Sequence, residues 1–87
     1  MNDDLLNNIA CIHITELGIM RIKRNLGLNI EDMDTVSWCK EKIANSKEIS
    51  RKGKNRYVYV DSIIITVNAH RFTVITAHRE KSASARK

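Results

Sequence analysis

The sequence predicts an α+β domain in which N-terminal helices pack on one face of a three- to four-stranded antiparallel β-meander. Apolar residues recur at helical spacing up to position 46, and from Lys47 onward they alternate with polar residues, as they do in strands. A chain of 87 residues has room for one hydrophobic core. We therefore expect a single domain over residues 1–80 and a flexible basic tail over residues 81–87, which lack an apolar anchor.

Three helices are expected before the sheet. Thr15 is a good N-cap for the second helix, and Gly27 is a typical stop signal at its end. Gly18 inside this helix costs about 1 kcal/mol relative to Ala, so either close packing requires it or the helix begins later. The predicted starts of the other two helices are Asp3 or Asp4 for the first and Asp32 or Asp34 for the third.

The second half of the chain predicts strands that are rich in Val, Ile, Tyr and Thr. The expected strands are Lys47–Arg51, Arg56–Asp61, Ser62–Asn68 and Arg71–Arg79. Short turns separate them, so consecutive strands are antiparallel neighbours in the order 1-2-3-4. The last strand would then have an exposed edge, which leaves both a monomer and an edge-paired dimer open.

Positive charge is concentrated in the strand half. Residues 1–34 carry three cations and six acids, whereas residues 35–87 carry twelve cations and four acids. Clustered Lys and Arg release counterions from phosphates, so the expected partner is RNA or a host nucleoprotein. A solvated surface without a partner is the alternative. The chain has no apolar run of the roughly 20 residues that cross a bilayer, which predicts no membrane partner and a cytoplasmic protein.

No metal and no cofactor are expected. Cys11 and Cys39 lack a second cysteine at CxxC spacing, so two reduced thiols are the ordinary explanation. The chain also has no P-loop, no GxGxxG and no HExxH spacing, which leaves nucleotide hydrolases, dinucleotide enzymes and zinc proteases without support.

A basic edge is predicted at one end of the sheet, where the turns after the first and third strands would lie about 10 Å apart. The residues expected there are Arg51, Lys52, Lys54, Arg56, His70 and Arg71. This edge would clamp a phosphodiester, with His70 as general acid or base and with Arg71 or Lys54 stabilising the pentavalent phosphate. These three residues are the predicted catalytic set.

One sheet face is predicted to be less apolar than the other. If Val58 and Val74 point at the helices, the opposite face carries Tyr57, Tyr59, Thr66, Arg71, Thr73 and Arg79. Aromatic rings between cations suit the stacking of unpaired bases, although paired tyrosines are also ordinary cross-strand contacts. The predicted nucleic-acid-binding set is Arg51, Lys52, Lys54, Arg56, Tyr57, Tyr59, Arg71 and Arg79.

The other two histidines are not predicted to act with His70. His78 lies eight residues further along the same strand, about 26 Å away, so the two cannot share one phosphate. His13 lies between Ile12 and Ile14, which favours a core or boundary histidine.

The sequence resembles DUF3781, a domain-of-unknown-function family of small uncharacterised bacterial and mobile-element proteins, from about Leu5 to Glu80. The segments that carry this resemblance are Thr15–Gly18, Arg21–Leu26, Trp38–Lys40, Arg51–Asn55, Tyr57–Val58, Ile64–Asn68 and Thr73–His78. It implies a single-domain cytoplasmic protein and no particular active site. A looser resemblance to the barnase-like and RelE-like ribonucleases, carried by Phe72–His78, implies helices before an antiparallel sheet that cleaves RNA.

Two functions follow as hypotheses. The first is a small basic domain that binds RNA, in the form of a toxin-like endoribonuclease that needs no metal. The alternative is a protein-interaction module without catalysis, such as a mobile-element-encoded, anti-CRISPR-like inhibitor of a host nucleoprotein. Cleavage of RNA by the purified protein distinguishes the two.

Overall fold

The computed structural model describes residues 4–80, so the predicted tail over residues 81–87 lies outside the described residues. Helical elements and one short strand come first: α1 (Asp4–Asn7), a 3-10 turn (Ile9–Cys11), β1 (His13–Ile14), α2 (Glu16–Leu26) and α3 (Asp32–Ala44). Four longer strands follow: β2 (Glu48–Lys52), β3 (Asn55–Val60), β4 (Ile63–Asn68) and β5 (Thr73–Arg79). The protein is therefore α+β, as predicted.

The ends of α2 follow the local sequence signals. The Thr15 hydroxyl accepts a hydrogen bond from the Gly18 amide at 3.1 Å, and Gly27 adopts the left-handed conformation with φ of 67°. A Cβ atom on Gly18 would lie 3.0 Å from Ile14 Cγ2 and 3.2 Å from the Val74 carbonyl oxygen. Close packing of α2 on β5 therefore leaves little room for a side chain at this position, which favours the first of the two explanations that the sequence left open.

The sheet differs from the predicted meander in one respect. It has five strands in the order β1-β5-β4-β3-β2, and it is mixed because β1 pairs with β5 in parallel, with His13 opposite Thr73. The four long strands are antiparallel neighbours, as expected. The predicted edge of the last strand is covered in part, since β1 pairs with Thr73 and Val74 at the start of β5. Within residues 4–80, the edge strands of the sheet are β1 and β2.

The core lies between the helices and one face of the sheet. Its fully buried residues include Leu5, Ile22, Cys39, Ile43, Val58, Ile65, Val67, Val74 and Ala77. The register places Tyr57, Tyr59 and Ile64 on the opposite face, which we call the open face because these three side chains are only half-buried. The pKa of the Cys39 thiol is raised to about 12 by burial, so it stays protonated, whereas Cys11 is exposed.

A tight turn joins β3 to β4 at one end of the sheet. Asp61 and Ser62 both adopt positive φ angles, 51° and 64°, as a type I′ hairpin turn requires. The Lys42 ammonium group donates to the Asp61 carboxylate at 2.6 Å and also lies 5.6 Å from the centre of the Trp38 ring. The pKa of the Asp61 carboxyl is lowered, first by this hydrogen bond and then by the charge of Lys42.

Replacing Lys42 with Met should raise the pKa of the Asp61 carboxyl toward its ordinary value. Because the folded-state pKa of Asp61 is depressed, its ionised carboxylate stabilises the fold at pH values above its unfolded-state pKa, about 3.9. This stabilisation is lost as pH falls through the folded-state pKa. An NMR titration of the Asp61 side-chain carbonyl measures this pKa, with Lys40→Met as the control. Equal Asp61 pKa values in the wild type and in Lys42→Met would contradict the assignment.

Candidate functional site

A groove of about 820 Å³ lies at the end of the sheet where the β2–β3 and β4–β5 turns come together. Its lining residues are His13, Thr15, Lys54, Asn68, His70, Arg71, Thr73 and Ile75. These residues provide two cations and two imidazoles, and none of them is acidic. The groove therefore has the electrostatic character of an anion-binding site. The three predicted catalytic residues, His70, Arg71 and Lys54, all line it.

Asn68 fixes the turn that carries His70 and Arg71. Its side-chain oxygen accepts hydrogen bonds from the His70 and Arg71 amides, both at 2.9 Å, and its carbonyl oxygen accepts from the Phe72 amide at 3.0 Å. Phe72 closes the turn with φ of 54° and packs partly against the core. Asn is favoured in turns because its side chain bonds to nearby amides. The backbone of the turn is thus held while both exposed side chains extend from it.

The two turns are linked at Ala69. The Ala69 amide donates to the Lys54 carbonyl oxygen at 2.7 Å, and a guanidinium nitrogen of Arg56 donates to the Ala69 carbonyl oxygen at 3.2 Å. Arg56 is only 7% exposed, because it lies on the same face of β3 as Val58. Arg56 is thus buried and does not lie on the exposed basic edge where the sequence placed it. Its place in the structure is that of a positioning residue for the turn.

His13 is the residue of this groove that sequence reasoning missed. It is exposed, and the parallel pairing of β1 with β5 brings it beside Thr73. Its Nδ1 atom lies 3.3 Å from the Cys11 carbonyl oxygen, and its Nε2 atom lies 2.7 Å from the Thr73 hydroxyl. No signal near His13 in the sequence indicates a partner 60 positions away.

These contacts favour one tautomer of His13. A carbonyl oxygen can only accept, so the contact with Cys11 is made by the tautomer that has its hydrogen on Nδ1, in which Nε2 is an acceptor. The single hydroxyl hydrogen of Thr73 bonds to Nε2 in the neutral state. When Nε2 is protonated, it donates to Thr73, whose hydrogen can turn to the Arg71 carbonyl oxygen at 3.4 Å. Both protonation states of His13 thus have hydrogen-bond partners.

The remaining predicted nucleic-acid-binding residues are divided between the two faces. Tyr57 and Tyr59 are half-buried on the open face, and Lys52 lies on the same face, opposite Asn55. Arg51 is exposed at the end of β2, opposite Arg56, and its Nε atom donates to the Gly53 carbonyl oxygen at 3.0 Å.

Arg79 does not lie on the open face. It is opposite Ile63, whose side chain is on the helix-covered face, and a guanidinium nitrogen donates to the Leu26 carbonyl oxygen at the end of α2, at 3.0 Å. The predicted position of Arg79 among the tyrosines is therefore wrong. The bulge in β5 after Val74 changes the alternation along this strand, which simple counting from Thr73 does not include.

Acidic side chains collect at the opposite end of the sheet. Glu48, Asp61 and Glu80 border a second groove of about 510 Å³ there. His78 is opposite Ile64, toward that same end. The groove at the two turns therefore has no glutamate among its lining residues, and its two imidazoles are the candidates for acid–base chemistry there.

The described His, Cys, Asp and Glu residues include no group of three that could hold a metal ion. None of the described helices combines the length and apolar character that crossing a bilayer requires.

Comparison with known proteins places the chain in a family. A family model described as a protein of unknown function, DUF3781, matches residues 6–78. The chain belongs to the DUF3781 family. The match includes every residue that lines the groove, and the family description assigns no activity to them. No curated protein and no solved structure matches the chain, so the resemblance to ribonucleases stays a prediction.

Proposed function

We propose that this protein binds single-stranded RNA and cleaves it without a metal ion in the groove between the two turns. One observation carries the proposal: the groove contains two imidazoles, His13 and His70, together with the cations of Lys54 and Arg71. Two histidines can supply both the base and the acid that phosphodiester transesterification requires. Two cations can stabilise the additional negative charge of the pentavalent phosphate.

In the proposed mechanism, the two imidazoles that line the groove have different roles. Nε2 of His13 is the base: it takes the proton of a ribose 2′-hydroxyl, which displaces Thr73 as the partner of this nitrogen. The 2′-oxygen forms a bond to the adjacent phosphorus, and the bond from phosphorus to the 5′-oxygen breaks. His70, as imidazolium, gives its proton to the departing 5′-oxygen. The products are a 2′,3′-cyclic phosphate and a 5′-hydroxyl end.

The open face offers a surface for the bases next to the scissile phosphate. Tyr57 and Tyr59 are half-buried there, so their rings have exposed parts on which unpaired bases can stack. Lys52 adds an exposed cation to the same face, at the groove end of β2. This arrangement favours single strands, because the bases of a duplex are stacked on one another and are not available to the tyrosines.

The test is incubation of the purified protein with a mixed-sequence single-stranded RNA in EDTA, at a series of salt concentrations. We expect cleavage with 2′,3′-cyclic phosphate ends, and binding that weakens as salt rises. DNA of the same sequence should bind and remain intact, since it lacks the attacking 2′-hydroxyl. Methylation of every RNA 2′-hydroxyl should likewise preserve binding and abolish cleavage.

The other outcomes would overturn the proposal in part or in whole. Salt-sensitive binding of RNA without cleavage would refute the catalytic step and leave a nucleic-acid-binding module. Absence of binding at low salt would refute both parts and favour the protein-interaction alternative, in which the basic groove meets an acidic protein surface. The Lys54→Glu variant distinguishes cleavage by this protein from cleavage by a contaminating nuclease, because the substitution should lower only the activity of this protein.

A further inference from the structure

Strand β2 is an edge of the sheet with β3 as its one strand neighbour among residues 4–80. Glu48, Arg51 and Lys52 are exposed along it, and Ile49 and Ser50 are half-buried. An edge strand presents unpaired backbone groups that can pair with another strand. The side chains of β2 determine which strand can pair with this edge.

The hydrogen-bond pattern shows which residues of β2 direct their backbone groups outward. The Ala69 amide donates to the Lys54 carbonyl oxygen, so even-numbered residues of β3 bond toward β4 and odd-numbered residues bond toward β2. Ser50 is opposite Tyr57 and therefore bonds inward. Ile49 and Arg51 are left with N–H and C=O groups that point away from the sheet.

The side chains of β2 are complementary to a second copy of the same strand. In an antiparallel pair centred on Ser50, the outward backbone groups of Ile49 meet those of the partner's Arg51. Glu48 then lies directly opposite the partner's Lys52, and the two-fold axis repeats this ion pair. The stem of the partner's Arg51 can cover Ile49, since the charged end of an arginine reaches past its apolar chain.

Neighbouring registers lack this complementarity. Registers that keep the outward backbone groups paired differ by two residues. Moving the partner strand by two residues in one direction places Arg51 opposite the partner's Arg51. A shift in the other direction places Arg51 opposite the partner's Lys47. Both arrangements oppose like charges, which destabilises a strand pair. The sequence of β2 therefore favours one register over the alternatives.

We infer that two copies of this chain associate through their β2 edges, in antiparallel register about Ser50, to form one continuous sheet with two grooves. The inference does not depend on the proposed function, since it rests on the edge, its hydrogen-bond pattern and its charges. An interface of five residues a side is at the small end for specific association, so we expect a dissociation constant of about 10–100 µM.

Sedimentation equilibrium without RNA tests this inference. Glu48→Lys and Lys52→Glu should each weaken dimerisation at least about tenfold, because each change turns two ion pairs into two like-charge pairs. An equimolar mixture of the two variants should dimerise again, since the substituted side chains of the two chains then lie opposite each other and every pair again joins opposite charges. Glu41→Lys on α3 makes the same change in net charge as Glu48→Lys, away from the edge, and should leave dimerisation unaltered.

Three outcomes would overturn the inference. One is a wild-type chain that stays monomeric up to about 1 mM, well above the expected dissociation constant. Another is dimerisation that neither single variant weakens, which would place the interface elsewhere. The third is a mixture that associates no better than the separate variants, which would show that the Glu48 pair with the partner's Lys52 does not form.

Discussion

Replacing His70 with Ala is expected to lower the rate of RNA cleavage in EDTA by about 10²–10⁴-fold, the usual contribution of a positioned acid or base. RNA binding should change by no more than a few-fold, because Lys54 and Arg71 still line the groove. The Asn68 side chain bonds to the amide of residue 70 and not to its imidazole, so the turn should keep its shape in this variant. Single-turnover rates and binding to 2′-O-methyl RNA measure the two effects separately.

His78→Ala is the matched control. This histidine is also exposed, but it is opposite Ile64 and lies toward the other end of β5 from the groove. Its removal should leave the cleavage rate unchanged. Equal losses of cleavage rate in the two variants would show that the effect is not specific to the groove. Full activity in His70→Ala would refute the role of His70 as the acid.

The His13→Ala variant tests the division of roles. Its cleavage should fall by a factor similar to that of His70→Ala, and the double variant should lose much less than the product of the two factors. Residues that act in one proton-transfer sequence are not additive. Losses that multiply would instead show that the two imidazoles contribute independently of each other, without the coupling that the proposed mechanism requires.

Local signals in the sequence are sufficient for most of the fold. Thr15 and Gly27 define α2 because an N-cap hydroxyl and a left-handed glycine act within a few residues of themselves. The alternation in β3 likewise predicts which residues face the helices, and Val58 and Val60 are buried as expected. Arg56 is the exception, since its position in the alternation puts it on the buried face although its charge suggested solvent.

What the sequence could not supply is long-range. Strand β1 has two residues, too few for any periodicity, and its pairing with Thr73 depends on contacts across the whole chain. The candidate groove was therefore predicted without His13, although its turns and three of its residues were placed correctly. The bulge in β5 has the same character, because a single extra residue moves Arg79 to the other face without a local signal.

The helices cover one face of the sheet, so truncating a side chain on that face should have the largest expected effect on stability. Ile65→Ala should lower the free energy of unfolding by about 3 kcal/mol, because deleting a fully buried isoleucine side chain leaves a cavity between the sheet and the helices. For a domain of this size that corresponds to a melting temperature lower by about 12–24 °C. Thermal and urea unfolding followed by circular dichroism measure the change.

Ile64→Ala provides the comparison within the same strand. The two isoleucines are adjacent and chemically identical, but Ile64 is half-buried on the open face, between Tyr59 and His78. Its truncation removes less buried apolar surface and should cost about 1 kcal/mol. The ratio of the two losses therefore measures how unequally the faces are covered. Equal losses would mean that the open face is covered in solution, which would remove the surface on which the proposed stacking of RNA bases depends.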